Sequence, residues 1–89
     1  MRAIVTVIGK DRVGIIASIC ALLAENGVNI LDISQTILQE YLTMVMLVDT
    51  AGSAAPFDQL SNALKARGED QNLSIRIQRE DIFEAMHRI

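Results

Sequence analysis

The residues with the clearest capacity for chemistry lie in one short loop, Gly9-Lys10-Asp11-Arg12-Val13-Gly14-Ile15. The run before it, residues 3–8, is β-branched and typical of a buried strand, while residues 15–23 favour a buried helix. A loop at this junction exposes backbone N–H groups at a helix N-terminus, which favour a carboxylate or a phosphate. Alternatively, the two glycines only permit a tight turn and close packing, and Asp11 caps the helix.

The remaining reactive side chains form no recognisable catalytic set. The single cysteine, Cys20, falls among apolar residues of a predicted helix and is interpreted as a core thiol. The single histidine, His87, is interpreted as a surface residue. With no Ser-His-Asp set and no metal-ligand spacing, we expect no enzymatic activity, no metal and no cofactor. An acylphosphatase-like hydrolase is the enzyme alternative that stays open, and it would depend on Arg12 and Asn29.

Composition limits the partners and the compartment. The net charge of −3 disfavours nucleic-acid binding, which needs a concentrated basic patch. No run has the length and apolar character of a membrane span, and the N-terminus has no signal-peptide pattern. One cysteine cannot form an internal disulfide, which fits a reducing cytoplasm. We therefore expect a cytoplasmic protein without nucleic-acid or membrane partners.

Apolar spacing predicts the element order βαββαβ followed by a tail helix. The predicted strands are Arg2–Ile8, Val28–Leu38, Tyr41–Asp49 and Leu73–Gln78; the predicted helices are Val13–Asn26, Phe57–Arg67 with Gly68 as its stop, and residues 80–89. Alternation puts Ile30, Asp32, Ser34 and Thr36 on one face of the second strand, and Leu31, Ile33, Gln35 and Ile37 on the other. Right-handed crossovers then build an α+β, ferredoxin-like sandwich, with a four-stranded antiparallel sheet and two helices on one face. We predict a single domain over residues 1–89, with its core at residues 1–79.

The distribution of charge predicts a homo-oligomer. From Val13 to Val48 the only charged residues are Glu25, Asp32 and Glu40. In the predicted fold the strand Val28–Leu38 lies at an edge of the sheet, and a long uncovered edge invites aggregation. We therefore predict a homodimer or a higher homo-oligomer with this strand and the first helix at the seam.

Two segments together resemble the ACT domain: the loop described above, and Glu25-Asn26-Gly27-Val28-Asn29-Ile30, which leads into the second strand. The likeness extends over the whole chain in element order and length. It is greatest to the small stand-alone bacterial ACT proteins related to the glycine-cleavage regulatory type. The resemblance implies a regulatory, allosteric module that pairs side by side with a second copy and binds a small molecule, often an amino acid, at the seam.

The resemblance also implies where a ligand binds. The predicted site combines the first loop of one subunit with the start of the second strand of the other: Asp11, Arg12, Val13, Gly14 and Ile15, with Asn29, Ile30 and Asp32. In this interpretation the free N–H groups of the helix take a ligand carboxylate, and Asp11 or the Asn29 amide takes an ammonium or polar group. Regulation would act through a partner enzyme or regulator. The alternative is an interaction module without a ligand.

Overall fold

The computed structural model describes residues 1–10 and 13–81. Its elements are β1 (Arg2–Lys10), α1 (Ile15–Glu25), β2 (Asn29–Leu38), β3 (Tyr41–Asp49), α2 (Phe57–Asp70) and β4 (Leu73–Arg79). The predicted order βαββαβ is therefore confirmed. Of the predicted tail helix, Glu80 and Asp81 have helical backbone, and residues 82–89 lie outside the described residues.

The four strands form one sheet in the order β2-β3-β1-β4, with every neighbouring pair antiparallel. Alternate residues of the central strands β1 and β3 are fully buried against the helices, because one face of the sheet carries both α1 and α2. This core contains Ala3, Val5, Val7, Met44, Met46 and Val48 from the central strands, with Ile19, Leu23, Leu60 and Leu64 from the helices. The arrangement is the predicted ferredoxin-like sandwich, and β2 and β4 are its edge strands.

The first strand is longer than the sequence predicted. It continues to Lys10, so Gly9 and Lys10 pair with β3 rather than belonging to the loop. The first helix starts later than predicted, at Ile15 instead of Val13. Gly9 is required by packing, since a Cβ there would overlap the side chain of Leu73. The loop between strand and helix is therefore shorter than the motif suggested.

Gly68 does not stop α2, contrary to the sequence prediction. The helix continues through it to Asp70, and the turn into β4 is made by Asn72, whose φ is 56°. Gly68 is buried where the helix passes closest to β4, and a Cβ at this position would lie 2.6 Å from the carbonyl oxygen of Leu73. The glycine thus serves close helix–strand approach instead of helix termination.

A bulge changes the predicted faces of β2. Its pairing with β3 shifts between Ile30 and Asp32, so Leu31 has no partner in the register. Ile30 pairs with Val48, whose side chain is in the core, and therefore points toward the helices. The predicted grouping of Ile30 with Asp32, Ser34 and Thr36 is wrong for this reason. The helix-side residues of β2 are Ile30, Ile33, Gln35 and Ile37.

Candidate functional site

The N-terminus of α1 is open in the way a binding loop requires. Gly14 is the N-cap residue, in the left-handed region at φ 88° and ψ −3°, and no side chain among residues 1–10 and 13–81 forms a cap hydrogen bond. The carbonyl oxygen of Gly14 accepts the N–H of Ser18 at 2.9 Å, which closes the first helical turn. The first turn of a helix lacks internal acceptors for its N–H groups, so these groups need acceptors from outside the helix. The N-cap position is therefore held by Gly14, and because Asp11 lies outside the described residues, the alternative in which its side chain caps the helix stays a prediction.

The described residues of the predicted loop differ in how much of each side chain is exposed. The side chain of Val13 is fully exposed, whereas that of Ile15 is 3% exposed and belongs to the core. Only the backbone of Ile15 can therefore contribute to a site. Asp11 and Arg12 lie outside the described residues, so the structure does not place them.

The end of α2 lies beside the start of α1. A depression of about 230 Å³ is lined by Asp70 and Gln71 together with residues 13–15. Neither Asp70 nor Gln71 was predicted from the sequence, because the meeting of two helix ends is a tertiary contact that has no local signal. Asp70 adds a carboxylate to a depression whose other wall is the positive end of a helix dipole.

A hydrogen-bond network fixes the first turn of α1 against the last turn of α2. The guanidinium Nη1 of Arg67 donates to the hydroxyl Oγ of Ser18 at 2.8 Å and to its carbonyl oxygen at 3.4 Å. The amide Nε2 of Gln71 donates to the same hydroxyl at 3.1 Å. These hydrogen bonds therefore hold the start of α1 and the end of α2, which line the depression, in a fixed position relative to each other.

The strand half of the predicted site lies elsewhere in the same chain. Asn29 is exposed at the start of β2, Ile30 is half-buried against the core, and Asp32 is exposed. The carboxylate of Asp32 accepts the N–H of Ile33 at 2.9 Å. The 11 residues of α1 separate these residues from Gly14, a length of about 16 Å at the rise of an α-helix. One chain therefore does not bring the two halves together.

Asn29 pairs in the sheet with Asp49 of β3, which carries a charged group. The carboxylate oxygen Oδ1 of Asp49 accepts the N–H of Ala51 at 2.9 Å and faces the N-terminal ammonium at 3.4 Å. The first of these hydrogen bonds and then the ammonium lower the pKa of Asp49 below its ordinary value of 3.8. Asp49 therefore stays ionised beside the start of β2 down to acidic pH.

Several large apolar side chains of the edge strand β2 are exposed, on both faces of the sheet. Leu31, Ile33, Ile37 and Leu38 are 46%, 42%, 54% and 72% exposed, and Tyr41, at the start of β3, is 50% exposed. A second and larger depression, of about 530 Å³, runs between α2 and the opposite edge strand β4, and none of the predicted site residues lines it.

Two searches of the described residues give negative results. Within residues 1–10 and 13–81, no three or more His, Cys, Asp or Glu side chains are grouped so that they could hold a metal ion. Across the same ranges, no helix has the length and apolar character needed to cross a membrane.

Comparison with known proteins gives consistent results. Residues 2–78 match the ACT domain family. A UPF0237 protein of Clostridium acetobutylicum is 54% identical over 89 residues, which are 100% of each chain. The solved structure of an ACT domain protein from Streptococcus pneumoniae is 47% identical and superposes with a TM-score of 0.82, covering 98% of both chains.

A more distant likeness concerns the fold alone. A protein assigned provisionally as a glycine cleavage system transcriptional repressor is 24% identical and superposes with a TM-score of 0.73. The match covers 86% of this chain and 44% of that one. The motifs around the first loop and the second strand, the βαββαβ order and the match over nearly the whole chain agree, and on these grounds the protein belongs to the ACT domain family, whose fold is that of a regulatory ligand-binding module.

Proposed function

We propose that this protein is a homodimeric regulatory module of the cytoplasm that binds an amino acid between its subunits and acts on a partner enzyme or regulator. The proposed site combines Asp11, Arg12, Val13, Gly14 and Ile15 of one subunit with Asn29, Ile30 and Asp32 of the other. One observation carries the proposal: the uncovered apolar surface of β2 at the edge of the sheet.

The exposure of β2 favours a second copy as its cover. The strand is ten residues long, and every residue but one is exposed in the single chain. An edge strand also leaves a row of backbone N–H and C=O groups without partners from its own sheet. Antiparallel pairing of two β2 strands would satisfy this row and bury Ile33 and Ile37 of both copies, which joins two sheets into one.

The topology supports a site built from two chains. Lys10 pairs with Tyr41, and Tyr41 pairs with Leu38, so the loop after β1 and the end of β2 share one end of the sheet. When two β2 strands pair antiparallel, the start of one lies beside the end of the other. The Asn29 of a second copy would therefore lie at the same end of the joined sheet as the loop, whereas within one chain α1, about 16 Å long, separates the two.

The chemistry at the loop suits a zwitterion. The backbone N–H groups at the start of α1 can donate hydrogen bonds to a carboxylate, which the helix dipole also favours. The carboxylate of Asp70 lines the same depression, and Asp11 precedes Val13 and Gly14 in the loop sequence. Either carboxylate could form an ion pair with the ammonium of a ligand. An amino acid carries both charges a few ångströms apart, and this supports it over a simple anion.

The two alternatives differ in what they require. An acylphosphatase-like reaction would need Arg12 and Asn29 to act on one phosphate, and because the loop and Asn29 lie at opposite ends of α1, that reaction too would need residues from two subunits. Release of phosphate from acetyl phosphate, and its loss in Arg12→Ala, would support that reaction. A dimer without a ligand needs only the β2 surface, so the absence of any ligand would favour this second role.

Thermal unfolding against a panel of amino acids tests the proposal. An amino acid present at 100 times its Kd stabilises the folded state by about 2.7 kcal/mol. For a domain of this size the melting temperature should rise by about 10–20 °C. No shift with any amino acid of the panel would contradict amino-acid binding while leaving the dimer untouched.

Asn29→Ala locates the site within that screen. If the Asn29 amide contacts the amino acid, its loss should weaken binding by about 1–3 kcal/mol, which reduces the thermal shift at a fixed concentration. Asn62→Ala is the matched control, because Asn62 is an exposed asparagine of α2. Equal shifts in both variants would place the site elsewhere.

A further inference from the structure

The depression of about 230 Å³ at the start of α1 has walls of opposite polarity. One wall is the beginning of α1, where backbone N–H groups present positive charge. The other wall is the last turn of α2, where backbone carbonyl groups present negative charge and Asp70 adds a full negative charge. A ligand that carries both signs of charge is therefore favoured in one orientation, with its anionic group toward α1.

The carboxylate of Asp70 is available to such a ligand. It is exposed, and within residues 1–10 and 13–81 no ion pair involves it. The cation expected to neutralise it is Arg67, three residues earlier on the same face of α2. The guanidinium of Arg67 instead donates to the hydroxyl and to the carbonyl oxygen of Ser18 in α1. Because Ser18 engages Arg67, the charge of Asp70 is left for another cation.

Ser18 holds Arg67 within a wider set of hydrogen bonds. Its hydroxyl accepts Arg67 at 2.8 Å and Gln71 at 3.1 Å, which uses both acceptor positions of a serine oxygen. Its backbone N–H donates to the carbonyl oxygen of Gly14, the N-cap residue, at 2.9 Å. Ser18 thus connects the positive wall of the depression to the helical turn that carries Asp70, and it fixes the separation of the two walls.

We propose that Asp70 binds the ammonium group of the ligand and that Ser18 is a positioning residue, which keeps Arg67 from neutralising Asp70. This inference rests on the proposed function and names which carboxylate takes the ammonium. The ligand then needs a free amino group close to a free carboxylate, as in an α-amino acid. N-acetyl amino acids lack the first charge and amino-acid amides lack the second, so both classes should bind weakly.

Titration calorimetry on the full-length chain tests the role of Asp70. The probes are the standard L-amino acids, with the N-acetyl derivative and the amide of each one that binds. The wild type should bind both derivatives at least about tenfold more weakly than the parent amino acid, since each derivative loses a charge-assisted hydrogen bond. Asp70→Asn should bind the parent amino acid about tenfold more weakly than the wild type does, and the N-acetyl derivative equally well.

Glu69→Gln is the matched control, because Glu69 is an exposed carboxylate of the same helical turn that lines the other depression. This variant should bind the amino acid as the wild type does. Equal affinities of Asp70→Asn and the wild type for the amino acid overturn the inference and leave the proposed function standing. If no amino acid binds to the wild type, the proposed function and this inference fail together.

Rescue by a second substitution tests the role of Ser18. Ser18→Ala should release Arg67 to pair with Asp70, so amino-acid affinity should fall by about tenfold, whereas Ser18→Thr keeps a hydroxyl and should bind as the wild type does. Arg67→Met added to Ser18→Ala should restore affinity, because Arg67 then no longer competes for Asp70. If Ser18 only supported the packing of the two helices, the second substitution would lower affinity further, and that result overturns its assigned role.

Discussion

The two edge strands occupy equivalent places in the sheet and differ in almost every other respect. On β4, Leu73, Ile75 and Ile77 are buried, and the alternate residues are polar. On β2, Ile33 and Ile37 point to the same side of the sheet as the helices, yet both are exposed. The apolar side chains of β4 are thus covered by the rest of the chain, whereas those of β2 are not.

The physical origin of the difference is the placement of the helices. α2 lies close against β4, and the approach is so near that only a glycine fits at position 68. The buried surface of α1 packs on the core under the central strands, so it leaves the far part of β2 uncovered. Substitutions near β4 should therefore change the stability of the single chain, and substitutions on β2 should change its assembly.

The largest effect should come from Ile37→Lys. Ile37 is 54% exposed in the single chain, so the seam would bury about half of its side chain, worth about 0.8–1.5 kcal/mol in each of two subunits, and its loss should lower dimer affinity by about 10- to 150-fold. The fold of the chain should survive, because Ile37 is already 54% exposed in it. Sedimentation velocity measures the affinity, and circular dichroism checks the fold.

Ser74→Lys is the control on the opposite edge, where the side chain is exposed on β4. This variant should dimerise as the wild type does. If Ser74→Lys dissociates the dimer and Ile37→Lys does not, the two edges have been assigned the wrong way round.

Gly68→Ala should lower the stability of the single chain and leave the affinity of the dimer unchanged. The added methyl group would meet the carbonyl of Leu73, and such overpacking costs about 1–3 kcal/mol. Chemical denaturation should register this loss in the free energy of unfolding, with dimer affinity extrapolated to native conditions unchanged. An unaltered unfolding free energy would mean that α2 and β4 separate easily, which would remove the contrast between the edges.

Gly14→Ala should lower the free energy of unfolding by less than Gly68→Ala does, and through backbone conformation instead of crowding. Apart from its chain neighbours, no atom of the described residues lies within 4 Å of a Cβ added there, but φ is +88°, which costs a side-chain-bearing residue about 1–2 kcal/mol. Gly14→Asn should lose less, because asparagine tolerates the left-handed region better than alanine does. A greater loss for the larger asparagine would point to crowding at this loop instead of backbone conformation.

The smallest effect concerns Asp49, at the end of β3 beside the start of β2. Its pKa in the folded chain is lowered, chiefly by the hydrogen bond from Ala51 and then by the N-terminal ammonium. Its stabilising contribution should therefore be present above the unfolded pKa and be lost as pH falls through the lower folded value. Melting temperatures of wild type and Asp49→Asn should differ at neutral pH and converge in acid.

The sequence predicted those features that repeat along the chain. Alternating apolar residues gave β3 its exact observed bounds, Tyr41–Asp49, and the order of the elements followed from similar patterns. The bulge at Leu31 was not predictable, since a single extra residue leaves the apolar pattern of β2 plausible on either face. Gly68 was assigned as a helix stop because local sequence cannot distinguish a terminating glycine from one required by a neighbouring strand.

Only the part of the candidate site that has a local sequence pattern was predicted. The loop before α1 is visible in the sequence because two glycines and two charges interrupt two apolar runs. Asp70 and Gln71 reach that loop only through the packing of α2 beside α1. The contribution of a second chain was indicated by the scarcity of charge between Val13 and Val48, which is a property of the whole segment and not of any one residue.

Inter-subunit distances measured by electron paramagnetic resonance test the central claim most directly. With Cys20→Ser as background, one nitroxide per chain would replace either Ser34, in the middle of β2, or Arg76, in β4. Pairing through β2 predicts a separation under about 15 Å for the Ser34 labels, and about 34 Å for the Arg76 labels, which seven strand spacings of the joined sheet would separate. A short distance between the Arg76 labels with a long one between the Ser34 labels, or no dipolar interaction in either, would contradict the account.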